Sequence, residues 1–235
     1  MYNELTSNPM FGLILSMAVY LIALAFFKKF PFPLFNPLII SIAVIILILV
    51  VFKIPYENYY IGGEMLNVLI TPATVALAIP LYKTFHLLKK HAKSISIGII
   101  TGSLLGTFLT GIFAILFGVG QKIIVSIMPK SVTTAIALGI TEKMGGVTAV
   151  TLVMVIFTGV IGAIIGPSVL KWFKITDPVA QGIALGSSAH AIGTSKALEM
   201  GRVQGAMAGL AIGVTGIVTV FAAPFMMGIV NQLFF

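Results

Sequence analysis

The run GIALGSSAHAIGTSKALEMG at 182–201 concentrates groups able to do chemistry: Ser187, Ser188, His190, Thr194, Ser195, Lys196 and Glu199. A second run, QKIIVSIMPKSVTTAIALGITE at 121–142, sets Lys130 directly after Pro129 and ahead of Ser131, Thr133 and Thr134. A third, IGGEMLNVLITPATVALAIPLY at 61–82, holds Glu64, Asn67, Thr71, Pro72 and Thr74. Ammonium and hydroxyl groups donate hydrogen bonds, so together they suit an anion, above all a carboxylate.

Lys130 is the sharpest candidate. Proline favours a helix start, and the first N–H groups of a helix lack intrahelical partners. That terminus carries roughly half a positive charge, to which a lysine and three hydroxyls add. The plainer reading is a lysine reaching along its alkyl stem to the membrane interface. His190 shares a helix face with Thr194, and imidazole suits a coupling proton; its plainer reading is a ring N–H bonded to a backbone carbonyl. Lys196 and Glu199, three residues apart, are placed to pair on one helix face.

Such groups must be held by something, and the composition says what. The chain has 235 residues, is 59% hydrophobic and only 9% charged, with a mean hydropathy of +1.14. Apolar runs at 11–27, 37–52, 94–117, 147–170 and 205–230 approach or exceed the length that crosses a hydrocarbon core of roughly 30 Å as a helix. A β-barrel would alternate apolar and polar residues, which these runs do not. The class is therefore all-α: a polytopic transmembrane protein of about six to eight segments, some discontinuous or re-entrant. It is read as one membrane domain over 1–235, with two spans in 11–52 and the interrupted segments and core spans in 61–235.

The absence of cysteine excludes disulfides and thiolate metal sites. The net charge of +8 reads as positive-inside bias rather than nucleic-acid binding, because lysines cluster at the ends of apolar runs. No Walker motif, HExxH or nucleophile elbow is present, so no enzyme activity, cofactor or metal is expected. Helix breaks are expected at Pro72, Pro129, Gly186 and Gly193. Glycines at 98, 102 and 106, at 159, 162 and 166, and at 205, 209 and 213 read as helix-packing faces. Setting Pro72 on Pro129 aligns TPATVALAI with MPKSVTTAI, a short match that hints at repeats of the kind transporters invert.

Two membrane paths fit. In one every segment crosses, and Lys143 and Arg202 share the cytoplasmic side with Lys83, Lys89, Lys90 and Lys93, opposite Lys122, Lys171 and Lys174. In the other, 121–146 and 178–201 are re-entrant hairpins entering from opposite sides, so that Lys171 and Lys174 become cytoplasmic and Lys143 external. Both put the two termini outside the cytoplasmic membrane.

The motifs PATVALAIPLYK at 72–83, PKSVTTAIAL at 129–138 and GSSAHAIGTSKALEMG at 186–201 make the chain resemble the LrgB/CidB family, called antiholin-like proteins or regulators of murein hydrolase export. NPLI at 36–39 and IPYENYYIGGEML at 54–66 are similar too, so the likeness covers nearly the whole chain. One departure is Ala135, where many relatives carry a second proline. The resemblance implies either of two functions, an antiholin restraining autolysis or a carrier of small carboxylates, the latter as in the plastid glycolate/glycerate translocator. It implies a small LrgA/CidA-type membrane partner as well.

The interrupted segments favour the carrier. The expectation is a 2-oxo or 2-hydroxy monocarboxylate held by Thr71, Thr74, Lys130, Ser131, Thr133, Thr134, Ser187, Ser188, His190 and Thr194. His190 and Glu64 would carry a coupling proton. The other expected partners are the lipid bilayer and further copies of the chain, in a dimer or higher oligomer, and not nucleic acid. The alternative is an antiholin-like regulator that moves no solute.

Overall fold

A computed structural model describes residues 6–30, 35, 37–69, 72, 75, 76, 79, 82 and 85–234. The described residues are helical and contain no strand. The chain divides into two compact units, Met1–Ala76 and Leu77–Phe235.

The first unit contains α1 (Pro9–Lys29), α2 (Pro37–Val51) and α3 (Tyr56–Asn67). Asn8 starts α1 by accepting from the Met10 N–H at 2.9 Å, a side-chain cap for an otherwise orphaned donor. Gly12 and Gly62 let α1 and α3 touch backbone to backbone: a Cβ on Gly62 would lie 2.8 Å from the Gly12 Cα. Beside them the Ser16 hydroxyl donates to the Gly12 carbonyl at 2.7 Å. The Tyr59 hydroxyl is therefore the donor in its 2.8 Å bond to Ser16.

The second unit contains α4 (Phe85–Leu116), α5 (Gln121–Ile127), α6 (Thr134–Lys143), α7 (Thr148–Trp172), α8 (Pro178–Met200) and α9 (Arg202–Phe234). Among the described residues four helices are long and apolar enough to cross a membrane: Pro9–Lys29, Lys89–Leu116, Thr148–Trp172 and Arg202–Gln232. Pro37–Val51 is a shorter apolar helix.

α5 and α6 cannot cross alone, being only about 10 and 15 Å long. They form a hairpin instead. Thr151 near the start of α7 donates its hydroxyl to the Ser126 carbonyl at 2.8 Å, so Thr141 donates to the Thr151 oxygen, also at 2.8 Å. Ser126 and Thr141 thus meet on one residue, although a continuous helix would hold them roughly 20 Å apart. The Ser126 hydroxyl also accepts from the Val147 N–H at 2.7 Å. Gly145 ends α6 at φ 72°, a left-handed turn that glycine adopts without a Cβ penalty. From this base the turn at 128–133 reaches to the level of Val155, where Val132, Ala137 and Val155 pack together.

α8 folds back as well. Asp177 caps it by accepting from the Ala180 N–H at 2.8 Å, with Pro178 in the first turn. The helix breaks at Ala189 (φ −130°, ψ 20°) and His190 (φ 42°, ψ −134°). Gly193 then lies against the Leu185 carbonyl, which a straight helix would keep about 12 Å away. Gln204 donates to Gln181 at 3.1 Å, while Gly205 lies against Leu198, so both ends of α8 meet the start of α9. Along α7, Gly166 faces Leu185, Gly162 faces Ala189 and Gly159 faces His190.

The two hairpins therefore enter from opposite ends of α7, and their turns meet near its middle. Val155 touches both, packing on Val132 and accepting from His190. Folding back of 121–146 and 178–201 is what the second of the two paths read from the sequence supposes. The expected break at Pro129 falls in the first turn, but α6 starts only at Thr134, so Lys130 and Ser131 sit in the turn and not at the helix start. The breaks expected at Gly186 and Gly193 are displaced to Ala189–His190. Both glycines are consumed by close contacts, Gly186 with the Ala208 backbone and Gly193 with Leu185.

Candidate functional site

Where the two hairpin turns approach, the second unit holds a cavity of about 610 Å³. Lys130 and Ser131 reach it from the first turn and Ser187 and Ser188 from the arm leading into the second. Ser103 and Thr107 of α4, Thr158 of α7 and Thr219 of α9 complete its polar lining. A cavity of about 690 Å³ in the first unit is larger, but its wall is Phe11, Ile14, Leu15, Ile48 and similar side chains, with no charge.

Lys130 is half-buried. Its ammonium has no ion pair or hydrogen bond among the described residues. Taking such a charge out of water costs several kcal/mol unless a counter-charge or hydrogen bonds compensate. The space before it is one where a negatively charged group would supply that compensation. Ser131 beside it likewise has its hydroxyl unpaired among the described residues.

The hydroxyls around the cavity divide by what they can offer. Ser187 donates to the Ile183 carbonyl at 2.7 Å, Ser188 to the Ala184 carbonyl at 2.6 Å and Thr107 to the Ser103 carbonyl at 2.8 Å. With their protons committed, these three present lone pairs and act as acceptors. Ser103 is 7% exposed, and its buried Oγ has no partner, so its proton is free, as those of Thr158 and Thr219 are among the described residues. Lys130, Ser131, Thr158 and Thr219 thus bring donors to the cavity lining, and the three committed hydroxyls bring acceptors.

Of the residues expected in the site, Lys130, Ser131, Ser187 and Ser188 come together. Thr133 and Thr134 flank the start of α6 and do not line the cavity. His190 is 5% exposed and lies behind the wall, its Nε2–H donating to the Val155 carbonyl at 2.9 Å. Thr194 donates to the His190 carbonyl at 3.0 Å, holding the start of the second arm. Glu64 is exposed on α3 of the first unit. Pro72 is exposed, and Thr71 and Thr74 beside it lie outside the described residues.

Ser103, Thr107, Thr158 and Thr219 are the lining residues that sequence reasoning missed. Their signal was faint: single hydroxyls in apolar spans, where back-bonding to the preceding turn is the ordinary use. The Lys196–Glu199 pair forms at 2.7 Å, away from the cavity. No group of three or more His, Cys, Asp or Glu able to hold a metal occurs among the described residues.

Apolar helical spans, with two folded-back hairpins beside a largely apolar cavity that carries one lysine and several hydroxyls, define a multi-pass integral membrane protein. The profile of the LrgB-like family matches residues 16–229, and the chain belongs to that family. Two relatives from Bacillus subtilis (strain 168), the uncharacterized proteins YwbG and YxaC, are each 41% identical. YwbG is matched over 92% of this chain and 96% of its own length; for YxaC the shares are 90% and 92%. The antiholin-like protein LrgB of Bacillus cereus (strain B4264) is 40% identical over 94% of this chain and 97% of its own. No solved structure matches.

Proposed function

We propose that this is an antiholin-like membrane protein that acts by carrying a small monocarboxylate. The two halves of that statement rest on different grounds. The first rests on the printed name of the Bacillus cereus relative at 40% identity over nearly the full length of both chains; none of the relatives compared above is named as a carrier. On that ground the chain is read as a regulator of murein hydrolase activity and autolysis, and the LrgB/CidB resemblance supplies a small LrgA-type membrane protein as the expected partner.

The second half rests on one observation, a Lys130 ammonium without a partner among the described residues, lining a cavity beside two folded-back hairpins. Discontinuous helices meeting near mid-membrane are the usual setting of a carrier's site, whereas a pore-forming bundle has no use for them. Lys130 and Ser131 hold the carboxylate, and Ser187 and Ser188 accept from a hydroxyl or water on the substrate. Of the two groups expected to carry a coupling proton, His190 is enclosed and hydrogen-bonded and Glu64 is exposed on the first unit, so neither is assigned to the Lys130 cavity.

The end of the second unit that bears Lys89, Lys90, Lys93, Lys171, Lys174 and Arg202 is cytoplasmic by the positive-inside rule, opposite Lys122 and Lys143. Uptake of labelled pyruvate or glycolate into liposomes holding the purified chain, with and without its LrgA-type partner, tests the carrier. Saturable uptake without dye leakage supports it. No uptake in either case leaves the antiholin-like reading without solute transport.

A further inference from the structure

We propose that the glycine row Gly98, Gly102 and Gly106 of α4 is the wall of an aqueous route joining the Lys130 cavity to the basic end of the second unit. A second cavity of about 480 Å³ lies at that end, lined by His91, Ser94, Gly98 and Asp177, among others, and Gly102 and Ser187 belong to both cavities. The two spaces are thus neighbours across one glycine and one serine.

No described residue packs on these glycines: a Cβ on Gly98, Gly102 or Gly106 would meet no atom within 4 Å among the described residues. On α7, by contrast, a Cβ on Gly159 or Gly162 would stand 2.6 Å from the His190 ring or 2.5 Å from the Ala189 Cβ. Glycine inside a helix weakens it relative to alanine, so a row that no neighbour requires is kept for the space it leaves. Ser103, more than nine-tenths buried beside the row, is among the residues of the Lys130 cavity, and its buried Oγ has no partner among the described residues.

At the other end the way is shut. Met128 forms part of the cavity floor, is 2% exposed, and packs among Ile124, Val125, Met227 and Val230. The route therefore opens to one side only. At its mouth the Asp177 carboxylate is held on the Ala180 N–H, with Lys90 and Lys93 exposed on the nearby turns of α4.

The inference rests on the reading of the Lys130 cavity as a solute site. Its test reads water access and not uptake, so each can fail without the other. The native chain has no cysteine, so single cysteines in the full chain in liposomes report cleanly on a charged, membrane-impermeant thiosulfonate, which reacts with the thiolate and so needs water. Gly102→Cys and Ser131→Cys are expected to react at least an order of magnitude faster than Ile97→Cys and Leu105→Cys, exposed positions of the same helix that line neither cavity. Adding Gly102→Leu is expected to slow Ser131→Cys by a similar factor. Gly102→Cys reacting no faster than Ile97→Cys would mean that lipid or another helix covers the row, and would overturn the proposal. So would a Ser131→Cys rate indifferent to Gly102→Leu.

Discussion

The Nε2–H of His190 donates to the carbonyl of Val155 at 2.9 Å, tying the turn of the second hairpin to the middle of α7. His190 holds that turn at φ 42°, a region costly for a residue with a Cβ, and the bond helps to keep it there. The ring is a strut. His190→Ala, which removes the donor and leaves a void, is expected to lower stability by about 1–3 kcal/mol, read as thermal unfolding in detergent. His190→Gln keeps a donor, and in that variant the pH profile of uptake should match the native one.

Two glycine substitutions should move stability in opposite directions. A Cβ on Gly186 would stand 2.6 Å from the Ala208 Cα, whose backbone cannot yield cheaply. Gly186→Ala should therefore cost about 1–3 kcal/mol. Gly106→Ala meets nothing within 4 Å and should stabilise α4 by about 0.5–1 kcal/mol. Melting of the two variants side by side checks both.

The base of the first hairpin depends on Thr151, which bridges Ser126 and Thr141. Thr151→Val keeps the shape and removes the bridge, leaving the buried Thr141 hydroxyl without its acceptor. A loss of about 1–3 kcal/mol is expected, with faster proteolysis at the α5–α6 turn as a second readout.

The positions of charge test the membrane path. With both hairpins re-entrant, Lys122→Cys and Lys143→Cys label from one side of the membrane, and Lys174→Cys and Arg202→Cys from the other. If every segment crossed, Lys143 would label with Arg202 and Lys122 with Lys174.

Much of this was legible in the sequence because membrane helices announce themselves by length and apolarity, as the runs at 94–117, 147–170 and 205–230 do. The break beside Pro129 was legible too, since proline has no N–H to give a helix. The second break was misplaced by one turn or less. Gly186 and Gly193 look like hinges locally, but their lack of a Cβ serves Ala208 and Leu185, contacts made only after folding back.

The same limit explains the glycine rows. Gly159, Gly162 and Gly166 are packing glycines, as their spacing suggested, and no described residue packs on Gly98, Gly102 or Gly106, although the spacing is nearly alike. Periodicity marks a face but does not say what stands opposite. Lys130, the cation singled out in the sequence, lines a cavity, while Thr133, Thr134 and His190 do not. Which side chains near a turn look into a cavity depends on how the arms pack, and that is set by residues far along the chain.

The claim that most depends on is that Lys130 binds a carboxylate. Equilibrium binding of labelled pyruvate or glycolate to the purified chain, native against Lys130→Gln, tests it directly. A charge-assisted hydrogen bond of about 1.5–3 kcal/mol predicts roughly 10- to 150-fold weaker binding in a variant that inserts and melts normally. Equal affinity in the two proteins would contradict the account.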